Sequence, residues 1–397
     1  MRGKEAPVAN PFVFGSLALD ADFTDREDDV ASLRSAMRSG QDVLVYAPRR
    51  YGKSSLVLRA AQEAIGEGIL VGYCDLLRVT SKEGLAAALA KTIHSDIDSR
   101  AGQALERAAG LFRGLTISPA MRVDSDGSLS FTFSATRRSA DIDQTIEALL
   151  DLLAKLAVER KAAVAMIFDE FQEIVDLDPR FPNLLRAVFQ AQREVSHVYL
   201  GSKRHVLDRI FNDEHEPFWR SAKRLELGLI EPSKFAPFVR ERFQATDKGI
   251  MDDALARLLA ITGGHPYATQ ELAHEVWELV GAGSFAHETE VEVALQKVLR
   301  AENNHLEKLW DDASTSQRRL VVALAREPTA SLYAEDYRSA HDLPAATTVQ
   351  AALRGLEKRE VVARDNAGTA IIVEPFFADW ILRDERPPSL SAQLRLQ

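Results

Sequence analysis

A chain of 397 residues, 46% apolar and 27% charged, has the composition of a globular protein, and at roughly 150 residues per domain it has room for two or three. Its net charge of −10 argues against a coat for nucleic acid, which draws on many Lys and Arg contacts to phosphate, while leaving room for one local basic surface. A single cysteine, Cys74, excludes an intrachain disulfide framework and a multi-cysteine zinc site.

No apolar run approaches the roughly 18–20 residues of a membrane helix, so no membrane partner is expected. The first ten residues carry Arg2, Lys4 and Glu5 and lack the apolar stretch of a signal peptide; the expected location is the cytoplasm. The histidines are scattered without a His-Glu-x-x-His pair, and no metal site made by protein ligands alone is read.

From residue 12 to 230, short apolar runs alternate with amphipathic helical stretches, the pattern of an α/β unit with a parallel sheet. The expected strands cover residues 42–46, 69–73, 164–168, 198–201 and 225–227. The first four are nearly continuous apolar runs, as befits strands covered on both faces. An insertion interrupts the pattern at about 75–141. It opens with a helical stretch over 85–93 and carries an alternating segment over 121–133, with Asp126-Gly127 as a hairpin turn. Residues 231–300 read as a helical lid: Pro232 and Ser233 open it, Gly263-Gly264-His265-Pro266 breaks it, and a helix follows over 267–280 with Leu272, Ala273, Val276 and Leu279 at helical spacing. Residues 305–385 read as a third, α+β unit. Helices are expected at 318–326, 334–340 and 346–358, and a hairpin at 361–364 and 370–373 turning at 366–368. Three helices and a two-stranded wing describe a winged helix; residues 386–397 read as a disordered tail.

The segment Val43-Leu44-Val45-Tyr46-Ala47-Pro48-Arg49-Arg50-Tyr51-Gly52-Lys53-Ser54-Ser55 reads as strand, tight loop and helix start. It matches the P-loop pattern G-x-x-x-x-G-K-[ST] at Gly52, Lys53 and Ser54. Such a loop wraps backbone N–H groups around phosphates and adds the positive end of a helix. A side chain at Gly52 would obstruct that close approach. Lys53 reaches the β- and γ-phosphates, and the Ser54 hydroxyl coordinates Mg²⁺. The expected cofactors are therefore ATP and Mg²⁺. Ala47 stands where the pattern has its first glycine, which removes some φ freedom at the loop entrance.

Val164-Ala165-Met166-Ile167-Phe168-Asp169-Glu170 is an apolar strand ending in two carboxylates. Asp169 at the strand tip would hold Mg²⁺ through its water shell, and Glu170 would polarise an attacking water. A kinase transferring phosphate to a substrate needs no such second acid, so Glu170 favours hydrolysis.

Pro48-Arg49-Arg50-Tyr51-Gly52-Lys53-Ser54-Ser55-Leu56, together with Phe168-Asp169-Glu170-Phe171-Gln172-Glu173, resembles the archaeal-type ATPases, AAA+/STAND-like proteins also found in bacteria. Leu200-Gly201-Ser202 and Thr262-Gly263-Gly264-His265-Pro266-Tyr267 agree with the same family, as does Phe23-Thr24-Asp25-Arg26-Glu27, which resembles its base-contacting entrance segment. The resemblance implies an AAA+-like P-loop core, a helical lid and a C-terminal winged helix over residues 12–385. It implies that the loop from Pro48 to Ser55 binds nucleotide. By the same resemblance Ser202 senses the γ-phosphate, and His265 and Pro266 pack on the base. The basic cluster Arg220, Lys223 and Arg224, ahead of the last core strand, stands where such ATPases place an arginine that contacts the γ-phosphate in cis or from a neighbour, and Arg220 is the candidate. A homo-oligomer is compatible with that role.

The expected function is a Mg-ATP-binding and hydrolysing switch acting on an unidentified protein partner. Closure of the lid would move the winged helix relative to the core. A second reading is a DNA-binding, initiator-like ATPase whose helix over 346–358 offers Thr347, Thr348, Gln350, Arg354 and Lys358 to a major groove. A third is a nucleotide-binding scaffold without turnover.

Overall fold

The computed structural model describes residues 9–97, 117–123, 129–135, 139–365 and 367–383. The turn expected at Asp126-Gly127, the wing-turn residue Asn366 and the tail from 386 lie outside the described residues. Two units emerge: a core unit, Arg26–Arg49 with Lys53–Leu227, and a C-terminal unit of Gly228–Gln397 joined by Met1–Asp25 and the three residues Arg50–Gly52.

The core unit is built on five parallel strands, β1 (Val43–Tyr46), β2 (Leu70–Asp75), β5 (Val164–Asp169), β6 (Val195–Gly201) and β7 (Lys223–Glu226), in the order β2-β5-β6-β1-β7. A parallel order with β1 inside the sheet requires crossover connections. Helix α1 (Glu27–Ser39) precedes β1, and the crossovers are supplied by helices α2 (Lys53–Gly66), α3 (Lys82–Thr92), α4 (Ser139–Arg160), α5 (Phe181–Ala191) and α6 (Arg204–Asn212). Between α3 and α4, strands β3 (Ile117–Val123) and β4 (Leu129–Ala135) pair antiparallel as a separate hairpin. Ser81 caps α3 by accepting from the Gly84 N–H at 3.1 Å. Gly40 ends α1 at φ +68, and a Cβ there would meet the Arg193 carbonyl at 2.3 Å. That close approach, with the left-handed backbone, explains the glycine.

Three strand boundaries differ from the sequence expectation by two residues or more. β6 begins at Val195, three residues earlier than expected, although Ser196 and His197 are polar. Both are fully buried and paired: Ser196 Oγ donates to the Gln41 carbonyl at 2.7 Å, and His197 Nδ1 lies 2.9 Å from Asp42 Oδ1. Satisfied polar groups can occupy a core strand that periodicity does not reveal. β2 runs on to Asp75, because Cys74 and Asp75 continue the ladder against Phe168 and Asp169. β7 contains Lys223 and Arg224, which the sequence reading had placed ahead of the strand. As the edge of the sheet, β7 tolerates the charged, exposed side chains that a central strand excludes.

Leu85, Leu89, Ile146, Leu149, Leu150 and Leu153 from α3 and α4 are buried in the core of this unit. So is a cluster of aromatic rings, Phe168, Phe171, Phe189, Tyr199, Phe211 and Phe218, with Phe171 and Tyr199 centroids 4.5 Å apart.

The C-terminal unit is helical except for two short pairs of strands. Helices α7 (Pro232–Gln244), α8 (Asp252–Thr262), α9 (Pro266–Leu279) and α10 (Glu288–Ala301) form the lid, with a two-residue parallel pair, β8 (Gly249–Ile250) and β9 (Phe285–Ala286). Gly263 and Gly264 both have positive φ, and a Cβ at Gly264 would meet the Ile230 carbonyl at 1.8 Å. The Gly-Gly break therefore lets two backbones touch, sealed by the Ile230 N–H donating to the Gly264 carbonyl at 3.0 Å. Helix α11 (Asn303–Asp311) leads into α12 (Thr315–Arg326), which a Ser314/Gln317 capping box starts. Helices α13 (Glu335–Ala340) and α14 (Ala346–Lys358), the antiparallel wing β10 (Val362–Arg364) and β11 (Ala370–Ile372), and α15 (Pro375–Leu382) complete a winged helix. Leu320, Leu324, Val349, Leu353, Leu356, Phe376 and Phe377 belong to its core. The N-terminal segment docks here too: Phe12 packs on Phe243 at 5.2 Å, and the Asn10 amide donates to the His274 carbonyl.

The architecture is thus a parallel α/β P-loop sheet, a helical segment and an α+β winged helix, the α/β core and C-terminal winged helix that the sequence predicts. Among the described residues no helix is long and apolar enough to cross a membrane.

Candidate nucleotide site

Parallel α/β sheets gather functional groups at the carboxyl ends of their strands. Here the ladder aligns Tyr46, the last residue of β1, with Gly201, the last of β6, while Phe168 on β5 pairs with Tyr199. The residues just beyond three strand ends therefore converge: the loop after Tyr46, Asp169 and Glu170, and Ser202.

The loop leaves β1 at buried Ala47 and returns as α2 at Lys53. Ala47 fits the space left for a loop entrance without glycine's freedom, being fully buried and absent from the positive-φ residues. Gly52 has φ +86, and a Cβ there would meet nothing within 4 Å. The backbone conformation requires the glycine, and the open space beside it is where a phosphate would lie. The Lys53 side chain, 8% exposed, folds back so that its ammonium donates to the carbonyls of Ala47 at 2.7 Å and Pro48 at 3.1 Å. Ser55 is buried on the same first turn of α2. Arg50, Tyr51 and Gly52 group with the C-terminal unit.

Ser54 Oγ donates to Asp169 Oδ2 at 3.3 Å. The Tyr73 hydroxyl, from the neighbouring strand β2, donates to the same oxygen. Burial, and then the Asp169 carboxylate, push the Tyr73 phenol well above its ordinary range, so it stays a donor. Asp169 Oδ1 accepts from the Glu170 N–H at 2.9 Å. Glu170 itself has φ +52, an uncommon conformation for a non-glycine residue. Phe171, locked in the aromatic cluster, holds the next position. Two buried side chains grip the Glu170 carboxylate: Ser202 Oγ donates at 3.2 Å to Oε2, and the Gln172 amide donates to the same oxygen. Beyond them Lys203 pairs with Glu173 at 2.8 Å.

The remaining predicted residues occupy other places. Arg220 sits exposed in the turn before β7 at φ +50, its guanidinium over the Trp219 ring at 4.9 Å. His265 is 1% exposed and caps α9, its Nδ1 accepting from the Ala268 N–H at 3.2 Å. Burial, aided by the Arg50 charge, pushes the imidazole down to about 3, so it is neutral. Its ring meets Tyr51 edge-on at 4.9 Å, and Pro266 opens the helix. Arg50 lies over the Tyr267 ring at 4.3 Å. Phe23–Asp25 belong to the C-terminal unit and Arg26 and Glu27 to the core unit, so the segment expected at the base spans the boundary in sequence. Sequence reading missed Tyr73 and Gln172. A tyrosine in an apolar strand reads as core; only the β2–β5 pairing shows that it is one strand away from Asp169.

A P-loop after β1, a carboxylate pair at the end of β5 with β6 between the two strands, a helical segment and a winged helix define an ATPase-type protein. The family of ATPase domains found predominantly in Archaea matches residues 23–272, and the chain belongs to it. A second family model, "Probable winged helix domain", matches residues 304–383. Among solved structures, a Walker-type ATPase of Pyrococcus abyssi is similar over 94% of this chain and 99% of its own, at 16% identity and a TM-score of 0.63. Aeropyrum pernix ORC1 in complex with DNA covers 94% and 95% at 12% identity, TM-score 0.46. The Thermotoga maritima RuvB Holliday junction branch migration motor covers 91% and 97% at 14% identity, TM-score 0.44. No curated protein matches the sequence.

Proposed function

We propose that this chain binds Mg-ATP, hydrolyses it and uses the cycle as a conformational switch on a macromolecular partner. The observation that carries the reading is the chain of contacts from Ser54 to Asp169 and from Glu170 to Ser202, set at aligned strand ends beside Lys53. Lys53 exchanges the Ala47 and Pro48 carbonyls for the β- and γ-phosphates, a short movement of an ammonium already inside the loop. Pro48, Arg49, Arg50, Tyr51 and Ser55 frame the loop, with His265 and Pro266 setting the position of Tyr51.

The Ser54 hydroxyl and the Asp169 carboxylate are adjacent hard oxygen donors, the chemistry that suits Mg²⁺ with water completing its shell. Among the described residues no group of three His, Cys, Asp or Glu side chains is arranged to hold a metal ion, so the ion would depend on nucleotide phosphates as well. When bound it would neutralise charge on the phosphates. Glu170 accepts the proton of the attacking water, and Ser202 and Gln172 aim it. Arg220, exposed and outside this cluster, would act on the nucleotide of a second copy in a homo-oligomer.

Steady-state phosphate release tests the reading. Lys53→Ala should abolish nucleotide binding, whereas Glu170→Gln should bind and not turn over. Equal phosphate release by wild type and Glu170→Gln would remove Glu170 from its role, and no release by either would favour a scaffold that only binds.

A second reading, DNA binding through the winged helix, is favoured by one feature of α14. Its buried face is Val349, Ala352, Leu353 and Leu356, and its exposed face gathers Thr347, Thr348, Gln350, Arg354 and Lys358. A helix with such a face could enter a major groove. A labelled duplex should then shift at low salt, and Arg354→Ala with Lys358→Ala should abolish the shift; no shift for wild type at low salt excludes it.

A further inference from the structure

The tip of the phosphate loop is held from outside the loop. Arg50 stands at φ +65, a conformation costly for an arginine and kept only where its surroundings enforce it. Those surroundings all lie in the C-terminal unit, to which Arg50 itself belongs. The guanidinium rests on the ring of Tyr267, from lid helix α9, at 4.3 Å. Its Nη1 pairs with Glu374 Oε2 at 3.6 Å, where the winged helix turns into α15. Next to it Tyr51, 4% exposed, is pinned by His265.

The pocket around Arg50 holds more negative charge than one guanidinium balances. Glu271, one turn along α9 from Tyr267, is 5% exposed, and its Oε2 has no hydrogen-bond partner. Glu302, between α10 and α11, and Glu275, a turn further along α9, add their fields. Burial first, and these neighbouring carboxylates second, push Glu271 up to about 8 and Glu374 up to about 7. Arg50 is the cation that acts on both Glu271 and Glu374, while Lys297 pairs with Glu275 at 3.6 Å.

Resting on the nucleotide-site reading above, we propose that Arg50 and Glu374 form a latch by which the winged helix restrains the phosphate loop. In the latched state the Arg50 charge is engaged by Glu374 and unavailable to phosphate. An incoming polyphosphate competes for the same guanidinium, so nucleotide binding releases Glu374 and with it the start of α15. By linkage, whatever loosens Glu374 must tighten nucleotide binding by the same factor.

Titration of the full-length protein with a fluorescent ATP analogue in Mg²⁺ tests this. Glu374→Gln keeps the side chain's shape and removes its charge, and the amide oxygen can still accept from the Phe376 N–H at the start of α15. It should bind about 3- to 5-fold more tightly than wild type, the range expected for a half-exposed ion pair. The gain should vanish in the Arg50→Ala background, because without the arginine Glu374 has nothing to withhold. Should Glu374→Gln lose its cooperative thermal transition, Tyr267→Leu, which removes the other support of the guanidinium, should give a gain of the same sign. Unchanged or weaker binding by Glu374→Gln, with wild type binding normally, overturns the latch and leaves the site reading standing. A wild type that binds no nucleotide overturns both.

Discussion

The two units handle buried carboxylates in opposite ways. In the core unit Asp169 and Glu170 are surrounded by donors: Ser54, Tyr73 and the Glu170 N–H on one, Ser202 and Gln172 on the other. In the C-terminal unit Glu271 has an oxygen with no hydrogen-bond donor among the described residues, and Glu374 shares one arginine with its neighbours. A carboxylate surrounded by donors is oriented by its hydrogen bonds. A carboxylate buried without donors is instead driven toward its protonated form and becomes responsive to any cation that arrives or leaves. The same residue type therefore serves orientation in one unit and response in the other.

The largest expected effect lies on the core side. Glu170→Gln preserves shape and hydrogen bonding and removes basicity, so phosphate release should fall by about 10²–10⁴-fold with nucleotide binding retained. A fall of less than tenfold would mean that the well-bonded carboxylate is structural and the contrast between the units is lost. Removing its support should cost less. Ser202→Ala and Tyr73→Phe should each lower phosphate release by about tenfold, roughly the 1.4 kcal/mol of one hydrogen bond to a charged group. Tyr73→Phe should in addition raise the Mg²⁺ concentration needed for half-maximal release, whereas Ser202→Ala should not. Identical Mg²⁺ profiles for the two would show that Asp169 and Glu170 are not separately positioned.

The smallest effect is on stability and belongs to the C-terminal unit. Glu271 and Glu374, at about 8 and about 7 against an ordinary 4.5, bind more protons when folded than when unfolded. Their contribution is full below the unfolded value and is lost as pH rises through the folded ones. His265, held at about 3 against an ordinary 6.5, has the opposite sign, and its contribution is lost as pH falls below 6.5. With Arg50, Tyr267, Glu275 and Glu302 facing the same pocket, the two glutamates outweigh His265 down to about pH 4.5, and the thermal midpoint should fall by roughly 3–6 °C from pH 6 toward pH 8. Glu271→Gln should flatten that alkaline limb. An unaltered slope would show that Glu271 is ionised and hydrated after all.

What could be read in the sequence follows the range of the forces involved. Val43-Leu44-Val45 and Val164–Phe168 announce themselves because continuous apolar runs need no partner to be recognised, and Gly52-Lys53-Ser54 because a loop's chemistry is local. Ser196 and His197 were hidden because their partners, Gln41 and Asp42, lie 155 residues away. Tyr73 is hidden for the same reason, lying 96 residues from Asp169, whereas Gln172 is two residues from Glu170 and meets it through the tight turn over Phe171–Glu173. The acidic pocket around Arg50 draws on α9, the α10–α11 junction and α15, and no window of sequence contains them together. The sign of the Gly52 φ adds a requirement for glycine that the motif alone does not state.

The aromatic cluster beneath the acidic pair has a consequence for how this protein meets heat. Phe171 follows Glu170 directly and is wedged among Tyr199, Phe211 and Phe218. The aim of the carboxylate is therefore set by the interior of the domain rather than by a surface loop, and no separate fraying step stands between a working site and an intact core. Near-ultraviolet circular dichroism of those rings and turnover should disappear together on warming, as one cooperative event.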